Sequence, residues 1–151
     1  MVCEGQGIPL NVGVIAANQA EWGQAATVLD GIRVPRRRGR PKQRPACVLA
    51  DRGYDVRALR LQLRQRHIRA VIPMYQHGRR PLGAKPLRPR PKRRLRAVDA
   101  RLYKQRYPVE RTFAWMDNYR RLVVRYERSA DLFRSFCILA FILICLNRIL
   151  K

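Results

Sequence analysis

Apolar positions change their period several times along this chain of 151 residues, and each change marks an element. Residues 8–15 (IPLNVGVI) are rich in β-branched side chains and follow Gly5-Gln6-Gly7, which predicts a strand leaving a turn. Residues 1–4 are then its hairpin partner. Asn18 with Glu21 three positions on has the form of a capping box. Trp22, Ala25, Ala26, Leu29 and Ile32 continue it as a helix ending near residue 32. After a loop over 34–45, residues 46–50 (ACVLA) form a short unbroken apolar run, the mark of a strand buried on both faces. Val56, Leu59 and Leu63 predict a helix over 55–67, and residues 70–72 a second buried strand ended by Pro73. The pattern lapses and then resumes through Val98, Leu102, Val109, Phe113, Met116 and Tyr119. Pro108 interrupts this stretch, so the preceding turn is kinked or a separate short helix. A last helix occupies 130–150. This order predicts an α/β fold with helices covering a mixed sheet, in a single domain by length.

Charge sharpens the picture because it is unevenly spread. Residues 1–34 hold Glu4, Glu21 and Asp30 against Arg33, a net of −2, whereas residues 35–96 hold 21 Lys/Arg against Asp51 and Asp55, a net of +19. The formal total is +23. Like charge at this density repels itself unless a polyanion neutralises it, so DNA or RNA is the first partner class and an anionic membrane surface the second. Residues 75–97 carry nine Lys/Arg, no acid and recurrent prolines, which predicts an extended basic loop mobile without a partner.

Other classes fall away. Cys3, Cys47, Cys137 and Cys145 show no C-x-x-C spacing and sit among apolar neighbours, as reduced thiols of a cytoplasmic protein do. Neither His67 nor His77 lies near a cysteine pair, so structural zinc is not expected. No basic segment followed by an apolar one opens the sequence, so no signal peptide is visible. Residues 136–146 (FCILAFILICL) are uncharged but short of the roughly 20 residues a membrane span needs, which predicts a buried core helix.

Candidate chemistry rests on few acids. Asp51 follows a buried strand directly, where α/β proteins place their sites, with Gly53 beside it. Its structural alternative is the capping of a turn before the next helix. Tyr103, Arg106 and Glu110 stand as Y-x2-R-x3-E, and the structural alternative for Glu110 is an i,i+4 pair with Arg106. Carboxylates brought together from a strand end and a helix suit Mg²⁺ or Mn²⁺, which take oxygen ligands and assist phosphoryl transfer. Arg106 and Tyr103 suit phosphate contacts, since guanidinium forks match phosphate. Trp22 and Trp115 read as packing residues.

The run Asp51-Arg52-Gly53-Tyr54-Asp55, the Tyr103/Arg106/Glu110 signature, Arg111-Thr112-Phe113-Ala114-Trp115 and residues 119–127 together resemble the DDE transposases of bacterial insertion sequences. The resemblance covers most of the chain. It implies an RNase H-like mixed sheet flanked by helices, with Asp51 and Glu110 as the second and third acids of a Mg²⁺ or Mn²⁺ triad. It also implies that Tyr103 and Arg106 handle DNA near the cleaved end, and that the enzyme cuts transposon ends and joins the 3′-hydroxyl to target DNA. Two departures stand out. The family signature often continues to a lysine where this chain has Asp117, so that contact with the transposon end is lost or reversed in charge unless Arg120 or Arg121 substitutes. No residue fits the first acid either, because the first, central strand is absent ahead of the hairpin. On this reading residues 1–151 are the C-terminal part of one catalytic domain, inactive alone. An upstream polypeptide or frame would supply the missing aspartate, and the complete enzyme could be a homodimer. The alternatives are a non-catalytic basic nucleic-acid-binding protein and a membrane-surface protein.

Overall fold

The hairpin forms but is shorter than its apolar run. In the computed structural model, which describes residues 1–74, 95 and 97–150, β1 (Val2–Cys3) pairs antiparallel with β2 (Pro9–Asn11). Its turn is held by Glu4, whose Oε1 accepts from the amides of Gln6 (2.8 Å) and Ile8 (3.3 Å). β2 stops at Asn11 because that side chain turns to α1, donating from Nδ2 to the Val28 carbonyl at 2.8 Å while Oδ1 accepts from the Val12 amide at 2.9 Å.

α1 (Trp22–Asp30) starts later than the capping box predicts. Glu21 precedes it without a side-chain cap bond, and its carboxylate instead accepts from the Tyr54 hydroxyl at 3.0 Å. A tertiary partner has outcompeted the local one. Burial and then the Glu21 contact push the Tyr54 phenol up to about 12, so it remains a donor at neutral pH.

β3 (Cys47–Leu49), α2 (Arg57–Gln65) and β4 (Arg69–Val71) form a strand–helix–strand unit with β3 parallel to β4, from Cys47 opposite Arg69 to Leu49 opposite Val71. A parallel pair needs such a crossover. Leu59 and Leu63, one helical turn apart, carry α2 onto the sheet. With Leu29, Ile32, Ile68 and Ile72 they make the first core.

The interruption at Pro108 resolves into separate pieces: α3 (Ala97–Tyr103), a 3-10 turn at Lys104–Arg106, and α4 (Pro108–Met116). Proline opens α4, where its missing N–H has no intrahelical acceptor to lose. α5 (Arg120–Val123) leads to α6 (Ala130–Ile149), whose first turn is capped by Ser129 Oγ accepting from the Leu132 amide at 3.4 Å. Met116, Cys137, Phe141 and Ile144 join Val12 in the second core.

Two expectations need correcting. α6 is not buried all round: Cys137, Ala140, Phe141 and Ile144 pack inward while Leu139, Ile142, Leu143 and Leu146 are exposed. Its 20 residues are long and apolar enough to cross a membrane by length and composition, although one face is built into the second core. The strands are mixed in direction, as an α/β pattern predicts, but they form two separate two-stranded sheets among the described residues. The predicted basic loop at 75–97 falls outside those residues except for Leu95 and Ala97, the first residue of α3. All four cysteines are unbridged, and burial pushes the thiols of Cys3, Cys47 and Cys137 up in pKa.

Candidate functional site

Beyond β3 the backbone stays extended through Asp51 (φ −68°, ψ 166°) before the 3-10 turn Arg52–Tyr54. Asp51 occupies the position that could cap this turn, yet its side chain makes no cap bond. The carboxylate faces the junction of α3 and α4. There Asp51 Oδ1 accepts from the Tyr103 hydroxyl at 3.3 Å and from Arg106 Nη1. Arg106 Nη2 lies 3.9 Å from Glu110 Oε1, in the first turn of α4, and its guanidinium sits 5.2 Å from the centre of the Tyr103 ring.

The break between α3 and α4 makes this possible, because the 3-10 turn carries Arg106 between Tyr103 at the end of one helix and Glu110 at the start of the next. Asp51, distant in sequence, thus meets Tyr103 and Glu110 around the Arg106 guanidinium. Both carboxylates remain open to water, with side chains 62% (Asp51) and 55% (Glu110) exposed. Exposed ion pairs contribute roughly 0–1 kcal/mol, so stability alone is a weak reason for the cluster. Burial, opposed by Arg106 and reinforced by Asp51, raises the Tyr103 phenol, which keeps its proton for Asp51.

Asp51 and Glu110 offer the hard oxygen donors that a divalent cation takes, and Arg106 already bridges both of them with positive charge. Two carboxylates are fewer than a closed protein cage uses. No group of three or more His, Cys, Asp or Glu side chains suited to a metal occurs among the described residues.

Arg120 and Arg121 are not joined to this cluster by any hydrogen bond or ion pair among the described residues. Arg121 is held at α6, donating to Glu127 Oε1 at 2.8 Å with its guanidinium 5.4 Å from the Phe136 ring centre. Arg120 is exposed and has no ion-pair partner among the described residues, and Asp117 is exposed at the end of α4. Glu127 closes the 119–127 run that resembles the family, but its burial was not foreseen from the sequence. Its side chain is 3% exposed, with Oε2 unbonded among the described residues. The available signal was an acid isolated among Arg121, Arg125 and Arg128. In the 34–45 loop, Val34 and Lys42 exchange backbone hydrogen bonds of 2.9 and 2.8 Å, which hold Arg36, Arg37, Arg38 and Arg40 on an exposed excursion.

Comparison with known proteins places the chain in a family. The family described as "Transposase DDE domain" matches residues 1–146. A protein of Burkholderia cepacia named "Putative transposase for insertion sequence element IS402" is 37% identical over 150 residues, covering 97% of this chain and 61% of that protein. A Brucella ovis protein named "Putative transposase for insertion sequence element IS6501" is 26% identical over 146 residues, covering 97% of this chain and 95% of its own length. No solved structure matches. The chain spans about three-fifths (61%) of the length of the Burkholderia relative. Matched along nearly its whole length, the chain belongs to the transposase DDE domain family.

Proposed function

We propose that this chain is catalytic-domain sequence of a DNA transposase that cuts transposon ends and joins the 3′-hydroxyl to target DNA. The carrying observation is the convergence of Asp51, Tyr103, Arg106 and Glu110 from the end of β3, α3, the 3-10 turn and α4. Asp51 and Glu110 would hold Mg²⁺ or Mn²⁺. When bound, the ion would lower the pKa of the attacking hydroxyl and balance charge on the leaving oxygen. Arg106 is the phosphate ligand of this site. Its fork keeps the two carboxylates neutralised until a phosphodiester competes for it, and Tyr103 orients Asp51 through its hydroxyl. The first acid that the resemblance implies is assigned to a segment outside these residues. The unjoined hairpin and parallel pair support a strand between them as its carrier. On this reading the chain alone does not cut DNA, and the complete enzyme, a homodimer in this proposal, works in the bacterial cytoplasm on end and target DNA.

The basic surface supplies binding that is largely independent of sequence. Arg120 and the 36–40 arginines track phosphates, and Arg121 contributes charge from its place on Phe136. A second reading, nucleic-acid binding without catalysis, rests on the basic surface alone. Both readings require DNA binding, and loss of activity in Asp51→Ala of a completed enzyme, with that binding intact, separates the first from the second. Binding of a labelled duplex, measured by anisotropy, should be steeply salt-dependent and nearly unchanged in Asp51→Ala. No binding by the parent chain would overturn both readings.

A further inference from the structure

Among the described residues, five arginines are matched to acids: Arg60 to Asp55, Arg66 to Asp30, Arg69 to Asp99, Arg106 to Asp51 and Glu110, and Arg121 to Glu127. Arg111 and Arg148 are instead held together on one backbone carbonyl. Arg111 Nη2 donates to the Gln6 carbonyl at 2.7 Å and Arg148 Nη1 donates to the same oxygen at 2.8 Å. Each guanidinium also lies 5.2 Å from the centre of the Trp115 ring. Sharing one acceptor holds two positive charges within twice a hydrogen-bond length of each other. No carboxylate lies within ion-pair distance of either among the described residues.

This convergence is built. Gly7 takes φ +84°, and a Cβ there would meet Pro108 O at 3.2 Å, Arg111 Nη2 at 3.3 Å and Thr112 Oγ1 at 3.3 Å, so the turn fits against α4 only as glycine. The buried Thr112 hydroxyl lies 2.7 Å from the Gly7 carbonyl, as a hydrogen-bond donor to the turn. Glu4 is turned away into the hairpin, where it accepts from the Gln6 and Ile8 amides. The Gln6 carbonyl is therefore fixed, and it fixes both arginines. Each guanidinium has five N–H donors and commits one here, and both residues are exposed. Two preorganised forks facing water beside an indole make a receptor for a tetrahedral dianion or a phosphodiester.

We infer that Arg111 and Arg148, set by Trp115 and the Gln6 carbonyl, form a phosphate-binding site that grips the DNA backbone next to the Asp51–Glu110 cluster. Arg111 follows Glu110 on α4 and projects about 100° round the helix from it, so a strand held here runs along the neighbouring face of the helix that carries the proposed metal ligand. The inference rests on the DNA reading above and adds a defined contact to it. The same chemistry would accept inorganic phosphate, and the two sources are separable.

Trp115 itself reports occupancy, because Trp22→Phe leaves it as the sole indole. In that background its emission should change saturably with a short duplex and with inorganic phosphate, but not with chloride at equal ionic strength. Anisotropy on a labelled duplex should show the log K against log salt slope reduced by about 1 in Arg111→Gln/Arg148→Gln, the loss of one phosphate contact. A Trp115 signal that answers phosphate and not DNA would overturn the DNA assignment. An unchanged slope with DNA still bound would overturn this site and leave the DNA reading standing. Failure of the parent chain to bind DNA would remove both. The Trp115 titration needs no change at 111 or 148, so it decides even where the double variant does not fold.

Discussion

Asp51 and Glu110, 59 positions apart in the sequence, share one guanidinium: Arg106 donates to the first and lies 3.9 Å from the second. The ion pairs are exposed, so Arg106 is expected to matter far more for ligands than for folding. Arg106→Ala should shift stability by no more than about 1 kcal/mol in urea while weakening duplex binding and lowering its salt slope by about 1. Unaltered DNA binding in this variant would remove Arg106 from the phosphate-handling role.

Gly7 carries the turn that seats the hairpin on α4. Gly7→Ala forces a side chain into positive φ and into contacts of 3.2–3.3 Å, and should destabilise by about 1–3 kcal/mol. Chemical denaturation measures this directly. A neutral result would mean that the turn relaxes away from α4.

The two sides of α6 should respond differently. Ile144 is 6% exposed and Leu143 is 46% exposed. Ile144→Ala should cost about 2–5 kcal/mol as a core truncation, and Leu143→Ala well under about 1 kcal/mol as a surface change. Equal losses would show that the outer face is also buried, against a second copy or another partner.

Glu127 makes a pH prediction. Burial disfavours its charge, but the Arg121 hydrogen bond and charge outweigh this, so its pKa is lowered from the ordinary 4.5. A carboxyl with a depressed folded pKa stabilises fully above its unfolded value, and that contribution is lost as pH falls through the folded one. Melting temperature should therefore drop across the range below about pH 4.5 more steeply in the parent than in Glu127→Gln. Parallel pH profiles would contradict the assigned direction.

Periodicity made the elements legible where burial sets the pattern. Leu59 and Leu63 located α2, the 46–50 run located β3, and Pro108 located the break that carries Arg106. Strand and helix limits were less legible, because side chains that look local found distant partners. Asn11 left its strand for Val28, and Glu21 left its cap for Tyr54. The candidate cluster was readable in residue type and spacing, but the bridging of both carboxylates by Arg106 needed the fold. The Arg111–Trp115–Arg148 arrangement was not readable at all, since Gln6, Arg111 and Arg148 come from three parts of the chain and their meeting depends on a backbone carbonyl.

Asp51 and Glu110 are proposed to hold a divalent cation jointly. Fe²⁺ exchanged into such a site, with ascorbate and peroxide, generates radicals that cleave the nearby backbone, and the cut positions are read by mass spectrometry. Cuts are expected to flank residues 51 and 110 in the parent chain bound to duplex DNA, suppressed by excess Mg²⁺ and absent in Asp51→Asn. Cuts elsewhere, or an unchanged pattern in Asp51→Asn, would contradict it.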